Sequence, residues 1–331
     1  MKIAIIGGGW VGCHLANKLK NEHVVSIFEK NDNLFEGTSY KNQNRLHIGF
    51  HYARNGKTRK LCLETFDKFM LDYGFLTKEV NNNLYCVTKN TSILDYETYI
   101  QIFKDFEYEE VENQFKNVEG CLNTKERHIN FDSAKRFFNA TLHDLVIRKN
   151  VTKDKLPLIM KEYDLVINAT NNEINDNSNK NSFFELTISL IYKNLKKVEF
   201  DALTMVDGSL FSIYPYTTDK FTVTDVEHTP IKKFKTVSSL KKFKNNISES
   251  LINNKKIEIE KKINNYYPSF NENFEYDGYF FSVKSKIISE SDERYPVISK
   301  EGNLINCFTG KIQGIYIIED YIKKEIKNYG H

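Results

Sequence analysis

The chain has 331 residues, of which 40% are hydrophobic and 27% charged, and its formal net charge is +3. This length predicts about two domains of ordinary globular composition, and so balanced a charge does not indicate a nucleic-acid partner. No apolar run reaches the length of about 18 residues that a membrane span needs, and the N-terminus is not a signal peptide, so we expect a cytoplasmic protein without a membrane span.

The N-terminal residues predict a strand, a helix and a second strand. The apolar run at residues 3–6 is typical of a buried parallel strand, and residues 10–20 carry apolar side chains at helical spacing. Residues 23–28 predict the second strand. Between the first strand and the helix lies a G-x-G-x-x-G motif, which consists of Gly7, Gly9 and Gly12.

This motif predicts a dinucleotide site. Gly7 permits the tight turn, Gly9 lets a diphosphate approach the backbone, and Gly12 lets the helix pack close to the strand. The helix begins at Trp10 and Val11, and its free N–H groups are predicted to bind the phosphates. At the end of the second strand, the Glu29 carboxylate would accept hydrogen bonds from the adenosine ribose, and Lys30 is assigned to the same region. The motif alone does not separate NAD from FAD.

A polar segment, NQNRLHIGFHYARN at residues 42–55, follows this unit. A two-domain NAD dehydrogenase usually continues with further βα units at this point. The segment instead resembles the second FAD contact of the D-amino-acid oxidase family, which includes glycine and sarcosine oxidases. The resemblance rests on Gly7, Gly9, Gly12, Glu29, Ser39 and the stretch 42–52. It implies FAD as cofactor and an α/β fold, with a Rossmann-like FAD-binding domain of the glutathione-reductase type and a second, mainly antiparallel β-sheet substrate domain.

The polar segment predicts contacts with both cofactor and substrate. The residues expected to hold the middle of FAD are Ser39, Asn42, Gln43 and Asn44. Arg45 would neutralise a phosphate or bind an anionic substrate. His47, His51 and Tyr52 would line the flavin face, where they would orient a substrate amine or hydroxyl or accept its proton. The alternative for each histidine is a hydrogen-bonded structural role.

The middle of the chain predicts further helices and strands. They are an amphipathic helix at 58–73, a strand at 84–88, a helix at 95–106, a strand at 128–131 before a helix capped by Asp132 or Ser133, at least two strands around a turn at 218–220, and a lysine-rich helix at 248–267. Tyr214 or Tyr216, in the first of the two strands around that turn, could reach the substrate.

The resemblance assigns other residues to the adenine and diphosphate ends of FAD. Val151 would lie on a strand beside adenine. The apolar strand at 164–170 would return next to the glycine loop, so that Ala169 and Thr170 become FAD neighbours.

The C-terminal region carries the last part of the resemblance. Residues 289–299 resemble a strand entry of the family, in which Arg294 would bind a substrate anion or stabilise the domain interface by a salt bridge. A strand, a glycine turn and a helix starting near Ile312 follow. Gly310, Lys311 and Ile312 would face the N1–C2 edge of the flavin, which gains negative charge on reduction.

The predicted FAD-binding domain comprises residues 1–78, 130–185 and 286–331, and the predicted substrate domain comprises 79–129 and 186–285. Five scattered cysteines without metal-ligand spacing predict reduced thiols and no metal site. We expect an FAD-dependent oxidoreductase that moves a hydride from a C–N substrate, an amine or amino acid, to flavin N5. The alternatives are oxidation of a sugar or nucleotide-linked sugar, a flavin-binding protein without turnover, and a nicotinamide enzyme.

Overall fold

A computed structural model describes residues 1–174, 182–208, 210–288 and 294–329, and these form nine α-helices and eighteen strands. The helices are α1 (Trp10–Leu19), α2 (Gly56–Tyr73), α3 (Tyr96–Ile102), α4 (Phe131–Leu142), α5 (Leu156–Glu162), α6 (Val237–Lys244), α7 (Glu249–Asn264), α8 (Phe270–Asn273) and α9 (Ile315–Asn328).

The strands lie in three sheets. In chain order they are β1 (Lys2–Ile6), β2 (Val24–Glu29), β3 (Arg45–Leu46), β4 (Thr77–Glu79), β5 (Asn83–Thr88), β6 (Tyr108–Val111), β7 (Val118–Thr124), β8 (Arg127–Ile129), β9 (Val146–Arg148), β10 (Leu165–Asn168), β11 (Ser182–Asn194), β12 (Ala202–Val206), β13 (Phe211–Pro215), β14 (Lys220–Asp225), β15 (Pro230–Phe234), β16 (Phe274–Ile287), β17 (Val297–Glu301) and β18 (Leu304–Phe308).

The first sheet has six strands in the order β17-β18-β10-β1-β2-β9, all parallel except the edge strand β17. Its central strand β1 is apolar because both faces of the sheet are covered. Ile3 and Ile5 pack in one core with residues of α1, α4 and α9, whereas Ala4 and Ile6 pack with α5 on the other face. The parallel strands end together at the glycine loop, which places that loop at the cavity described below.

The second sheet has nine strands and is antiparallel apart from the pairing of β5 with β12. Its longest pairing joins β11 to β16 from Ser182↔Ile287 to Asn194↔Phe274. Apolar side chains of one face pack against α7 and α8. Because side chains alternate along a strand, Ser189, Ser212 and Thr224 lie on the opposite face and line the cavity.

A third, small sheet has the order β3-β8-β4 and connects the polar segment to the chain after β7. Arg45 pairs with His128 in this sheet, and the backbone N–H of Ile129 donates to the carbonyl of Asn44 at 2.8 Å. Strand β3 is short because a 3₁₀ turn at Phe50–Tyr52 follows, after Gly49 at φ +139°. The small sheet therefore fixes the start of the histidine-bearing segment.

The predicted fold class is confirmed, and several local predictions need correction. The strand expected at 128–131 ends at Ile129, and the cap of α4 is Asn130, whose side chain accepts from the Ser133 N–H at 2.9 Å. Val151 lies after β9 and not on a strand. The helix expected at 95–106 covers only Tyr96–Ile102.

The domain boundaries stay a prediction. Strands β11 and β16 each extend across a predicted boundary, since they begin at Ser182 and end at Ile287. Residues 289–293 of the predicted strand entry lie outside the described residues. All five cysteines are buried and unpaired. Over the part of the chain that the structure describes, no helix has both the length and the apolar character of a membrane span.

Candidate active site

A cavity of about 1860 Å³ lies between the two large sheets. Three segments that are far apart in sequence line it: the glycine loop, the polar segment at 42–55 and the C-terminal turn at 309–312. Ligand pockets typically have volumes of about 300–1,000 Å³, so this cavity has room for a long cofactor and a substrate together. The prediction that both ends of the chain meet at one site is therefore supported by the geometry.

The glycine loop leaves no space for side chains. A Cβ atom on Gly7, which has φ +106°, would lie 2.7 Å from the carbonyl oxygen of Ala169. A Cβ on Gly9 would lie 2.7 Å from Oγ of Ser39, and one on Gly12 would lie 1.9 Å from the carbonyl oxygen of Gly7. Gly7 and Gly9 line the cavity, whereas Gly12 does not, in keeping with its predicted role in helix packing.

The start of α1 faces the cavity through Trp10 and Val11. The Trp10 N–H donates to Oγ of Ser39 at 2.9 Å, so Ser39 connects the polar segment to the helix N-terminus. The first amides of a helix have no intrahelical acceptor, and this end of the helix carries a partial positive charge. The loop, the helix and Ser39 thus form a cradle suited to a diphosphate.

Glu29 and Lys30 line the part of the cavity at the end of β2. The Glu29 carboxylate is buried and accepts from the N–H groups of Gly8 at 2.7 Å and Asn31 at 2.9 Å. Lys30 forms an ion pair with Glu173. Val151 is also buried beside the cavity, although it is not on a strand. Their roles at the adenosine end remain predictions.

Ala169 and Thr170 line the cavity directly after β10. The Ala169 N–H donates to the carbonyl of Ile6 at 2.9 Å, which places this strand end beside the glycine loop as expected. Thr170 donates through its hydroxyl to Oδ1 of Asn168 at 2.7 Å. The predicted return of this strand to the glycine loop is thus observed.

The amide side chains of the polar segment brace the segment itself and line the cavity. Oδ1 of Asn42 accepts from the N–H of Asn44 at 2.6 Å. Nε2 of Gln43 lies 3.2 Å from both the Ser212 and the Thr222 hydroxyls, so it connects the polar segment to the second sheet. All three amide residues, Asn42, Gln43 and Asn44, line the cavity.

Arg45 is buried, with 7% of its surface exposed, and its side chain lines the cavity. Nη1 donates to the Thr204 hydroxyl at 2.9 Å, and the guanidinium carbon lies 3.9 Å from the ring centroid of Tyr214. Nε and Nη2 are buried and have no hydrogen-bond partner in the protein. Buried N–H groups of a cation are costly when unpaired, so this arrangement suits an anionic group in the cavity.

His47, His51 and Tyr52 form an aromatic cluster beside Arg45. The His47 ring centroid lies 5.5 Å from those of His51 and Tyr52. Burial, followed by the charge of Lys311, lowers the pKa of His47 to about 4. Burial, followed by His47, lowers the pKa of His51 well below its usual value. Both imidazoles are therefore neutral near pH 7.

The C-terminal turn approaches the same cluster. Gly310, Lys311 and Ile312 line the cavity, and Nζ of Lys311 lies 4.6 Å from the ring centroid of Tyr52. Burial, followed by the charge of Arg45, lowers the pKa of Lys311 to about 7. The expected helix start near Ile312 is a 3₁₀ turn at Ile312–Gly314, and α9 begins at Ile315.

Arg294 also lines the cavity, next to Gly310. A Cβ on Gly310 would lie 3.1 Å from Cδ of Arg294, so the absence of a side chain there permits close packing. The Arg294 N–H is 3.4 Å from the Thr58 hydroxyl of α2. Of the two tyrosines that could reach the substrate, Tyr214 and Tyr216, neither lines the cavity.

Two residues of this site were missed by sequence reasoning. Glu126 is 1% exposed and lies behind His47, with its Oε2 3.3 Å from Nδ1 of the imidazole. Gln313 is fully buried, and its Nε2 donates to the carbonyls of His47 at 2.5 Å and Cys62 at 3.1 Å. No local pattern identifies either one, although Gln313 lies in the glycine turn that was singled out.

The comparisons with known proteins agree with this geometry. A sequence model described as "FAD dependent oxidoreductase" (DAO) matches residues 2–91. The chain is 33% identical over 333 residues to the FAD-dependent monooxygenase FPY4 of Fusarium mangiferae. This alignment covers 97% of this chain and 89% of FPY4.

Solved structures show the same fold at low sequence identity. Glycine oxidase from Geobacillus kaustophilus superposes with a TM-score of 0.67 at 12% identity, over 98% of this chain and 94% of that one. NikD, an amino acid oxidase of nikkomycin biosynthesis, gives a TM-score of 0.68 at 11% identity, over 96% and 91%. FAD is therefore the cofactor of this chain. The chain belongs to the D-amino-acid-oxidase-type family of FAD-dependent oxidoreductases, as shown by the relative that aligns over nearly its full length, the matched domain and the glycine cradle.

Proposed function

We propose that this enzyme oxidises the C–N bond of an amine that carries an anionic group, such as an amino acid. The observation that carries this proposal is the buried Arg45 guanidinium, whose Nε and Nη2 point at no acceptor in the protein. A substrate carboxylate would supply two acceptors in the planar arrangement that a guanidinium prefers. The names of glycine oxidase and NikD, which share the fold, are in keeping with this substrate class.

The residues around Arg45 suit the other end of such a substrate. When bound, FAD supplies the acceptor for the hydride that leaves the substrate carbon. His47 and His51 are neutral, so they can accept a hydrogen bond from a substrate N–H group without repelling Arg45. Lys311 and the turn before α9 line the cavity, and a partial positive charge there would stabilise the negative charge that FAD gains on reduction.

Oxidation of a sugar or a nucleotide-linked sugar is the second candidate. The size of the cavity favours it, because about 1860 Å³ exceeds the range of about 300–1,000 Å³ that is usual for ligand pockets and leaves room for a substrate larger than an amino acid. The hydroxyl side chains of Ser189, Ser212 and Thr224 on the cavity face would provide donors and acceptors for a polyhydroxyl compound. FPY4 is named a monooxygenase, which adds oxygen insertion to the outcomes that an experiment must distinguish.

Anaerobic bleaching of the flavin absorption near about 450 nm separates these functions. The purified holoenzyme is mixed separately with amino acids, N-alkyl amines, amino sugars, neutral sugars and a reduced nicotinamide, with no other reductant present. We expect bleaching by carboxylate-bearing amines, and little by the matched amines in which the carboxylate is an amide. Bleaching by sugars alone, or only by a reduced nicotinamide, would refute the proposal.

A further inference from the structure

Glu126 is a buried carboxylate with no role in the predicted site, and it is enclosed by the residues of that site. Its Oε1 accepts from the N–H of Ile48 at 2.9 Å, and its Oε2 accepts from the hydroxyl of Tyr85 at 2.6 Å. The same Oε2 lies 3.3 Å from Nδ1 of His47, a buried atom that makes no hydrogen bond of ordinary geometry within the described part of the chain. Contacts of this kind are often long before a substrate binds and tighten in the complex.

The groups around this carboxylate favour its ionised form: near pH 7 they are the neutral imidazole of His47, the hydroxyl of Tyr85 and the cation of Arg45. Burial raises the pKa of Glu126, but His47, Tyr85 and Arg45 together outweigh burial and lower the pKa below its ordinary value. An ionised carboxylate can only accept hydrogen bonds. The imidazole nitrogen that faces it must therefore carry the proton, because two acceptors placed face to face would repel each other.

The His47 backbone is fixed independently of this contact. Gln313 donates to its carbonyl at 2.5 Å, and β3 precedes it in the small sheet. The ring lines the cavity on one side and meets Glu126 on the other. The tautomer of the imidazole is then set by the group that hydrogen-bonds the nitrogen facing away from the cavity.

We propose that Glu126 is a positioning residue of this enzyme, which holds the imidazole proton of His47 on Nδ1 and leaves Nε2 as an acceptor for the N–H group of the substrate. The substrate part rests on the proposed function, whereas the tautomer is a property of the protein with FAD bound.

The proposed arrangement matches what C–N oxidation requires. The nitrogen must be uncharged, because its lone pair forms the C=N bond as the hydride leaves the adjacent carbon. A neutral imidazole that accepts the N–H hydrogen bond orients the amine and leaves that lone pair free. The opposite tautomer would present an N–H donor, which would engage the lone pair and oppose the reaction.

Other charged or titratable groups also face His47, from several elements. They are Arg45 of β3, His51 and Tyr52 of the 3₁₀ turn, and Lys311 of the C-terminal turn, with Tyr85 of β5 in contact with Glu126. The cations oppose protonation of His47, and Glu126 is the carboxylate that favours it. A pH profile alone would mix these effects, so the test reads the tautomer directly.

The first test is ¹⁵N NMR of the histidine rings in the FAD-loaded wild-type protein without substrate, with His47→Gln used to assign the signals. We expect His47 to carry its proton on Nδ1. In Glu126→Gln the amide N–H₂ can face Nδ1, so the proton should move to Nε2. A wild-type His47 protonated on Nε2 would overturn the proposal, even if the variant did not fold.

The second test is the rate of anaerobic flavin reduction by the best amine substrate. Glu126→Gln should lower this rate by about 10²–10⁴-fold, with FAD content and absorption spectrum unchanged. Tyr85→Phe is the matched control, because it removes the other hydrogen bond to Oε2 and keeps the pair with His47. It should retain the wild-type tautomer and a rate within about tenfold of the wild type.

Equal losses in Glu126→Gln and Tyr85→Phe would mean that the carboxylate is only structural. Reduction of Glu126→Gln at the wild-type rate would also overturn the proposal. If no amine reduces the wild-type flavin while His47 carries its proton on Nδ1, the proposed function fails and the tautomer assignment stands.

Discussion

Replacing Gly9 by alanine tests whether the opening turn is a cradle for the diphosphate of FAD. The new Cβ would lie 2.7 Å from Oγ of Ser39, well inside ordinary van der Waals contact. Ser39 would have to rotate away, and Trp10 would lose the acceptor that its N–H now has at 2.9 Å. We expect the FAD-free protein to lose about 1 kcal/mol of unfolding free energy, the net value of one such hydrogen bond.

The double variant Gly9→Ala/Ser39→Gly separates the internal clash from the cofactor contact. Removing the Ser39 side chain makes room for the methyl group, so the FAD-free double variant should be about as stable as Ser39→Gly. The methyl group still occupies the space proposed for the diphosphate. We therefore expect FAD to bind at least about tenfold more weakly than to Ser39→Gly, a difference of about 1.4 kcal/mol.

Fluorescence titration of the FAD-free protein with FAD measures these affinities, and urea denaturation of the same samples measures stability. Equal FAD affinity in the double variant and in Ser39→Gly would refute the assignment of Gly9 to the cofactor. Any loss of FAD affinity in Gly9→Ala would then arise from the displaced Ser39 alone.

Three residues of the candidate site carry further predictions. Arg45→Lys keeps the charge but not the planar pair of donors. In anaerobic flavin reduction it should raise the half-saturating concentration of a carboxylate substrate by about 10–100-fold. An unchanged value would contradict the proposed anion site. Burial lowers the pKa of Lys311 from 10.5 to about 7, so between these pH values the unfolded chain binds more protons than the folded protein. The urea midpoint of the FAD-free protein should therefore rise with pH across that range. It should rise less in Lys311→Met. Gln313→Leu leaves the buried carbonyls of His47 and Cys62 without this donor. We expect urea denaturation to show a loss of about 2–4 kcal/mol in the free energy of unfolding. A loss below about 0.5 kcal/mol would show that other donors replace Gln313.

The parts of the site that the sequence predicts are those built from short local patterns. The glycine loop, its helix and Glu29 lie within thirty residues, and each residue type has a local reason to be there. The polar segment and the C-terminal turn were found because they resemble family motifs. The residues predicted to touch FAD or substrate line the cavity, except Gly12, whose predicted role was packing, and the two tyrosines, Tyr214 and Tyr216.

The parts that were missed depend on partners distant in sequence. Glu126 is 78 residues from Ile48 and 41 from Tyr85, and Gln313 is 266 residues from His47. A single glutamate or glutamine gives no periodic signal, so only the folded chain shows that it is buried beside His47. The misplaced strand at Val151 and the wrong cap of α4 are errors of two or three residues at element ends, where local preferences for helix, strand and turn compete.

In the long strands of the second sheet, packing of the core and contact with the substrate are assigned to different residues. On β11, Ile188 and Leu190 pack into the core, while Ser189 between them lines the cavity. A replacement at such an inward serine changes the shape and polarity seen by the substrate without removing a methyl group from the packed interior. Selection can therefore retune which molecule is turned over at little cost to the scaffold, so one frame can serve enzymes with different substrates.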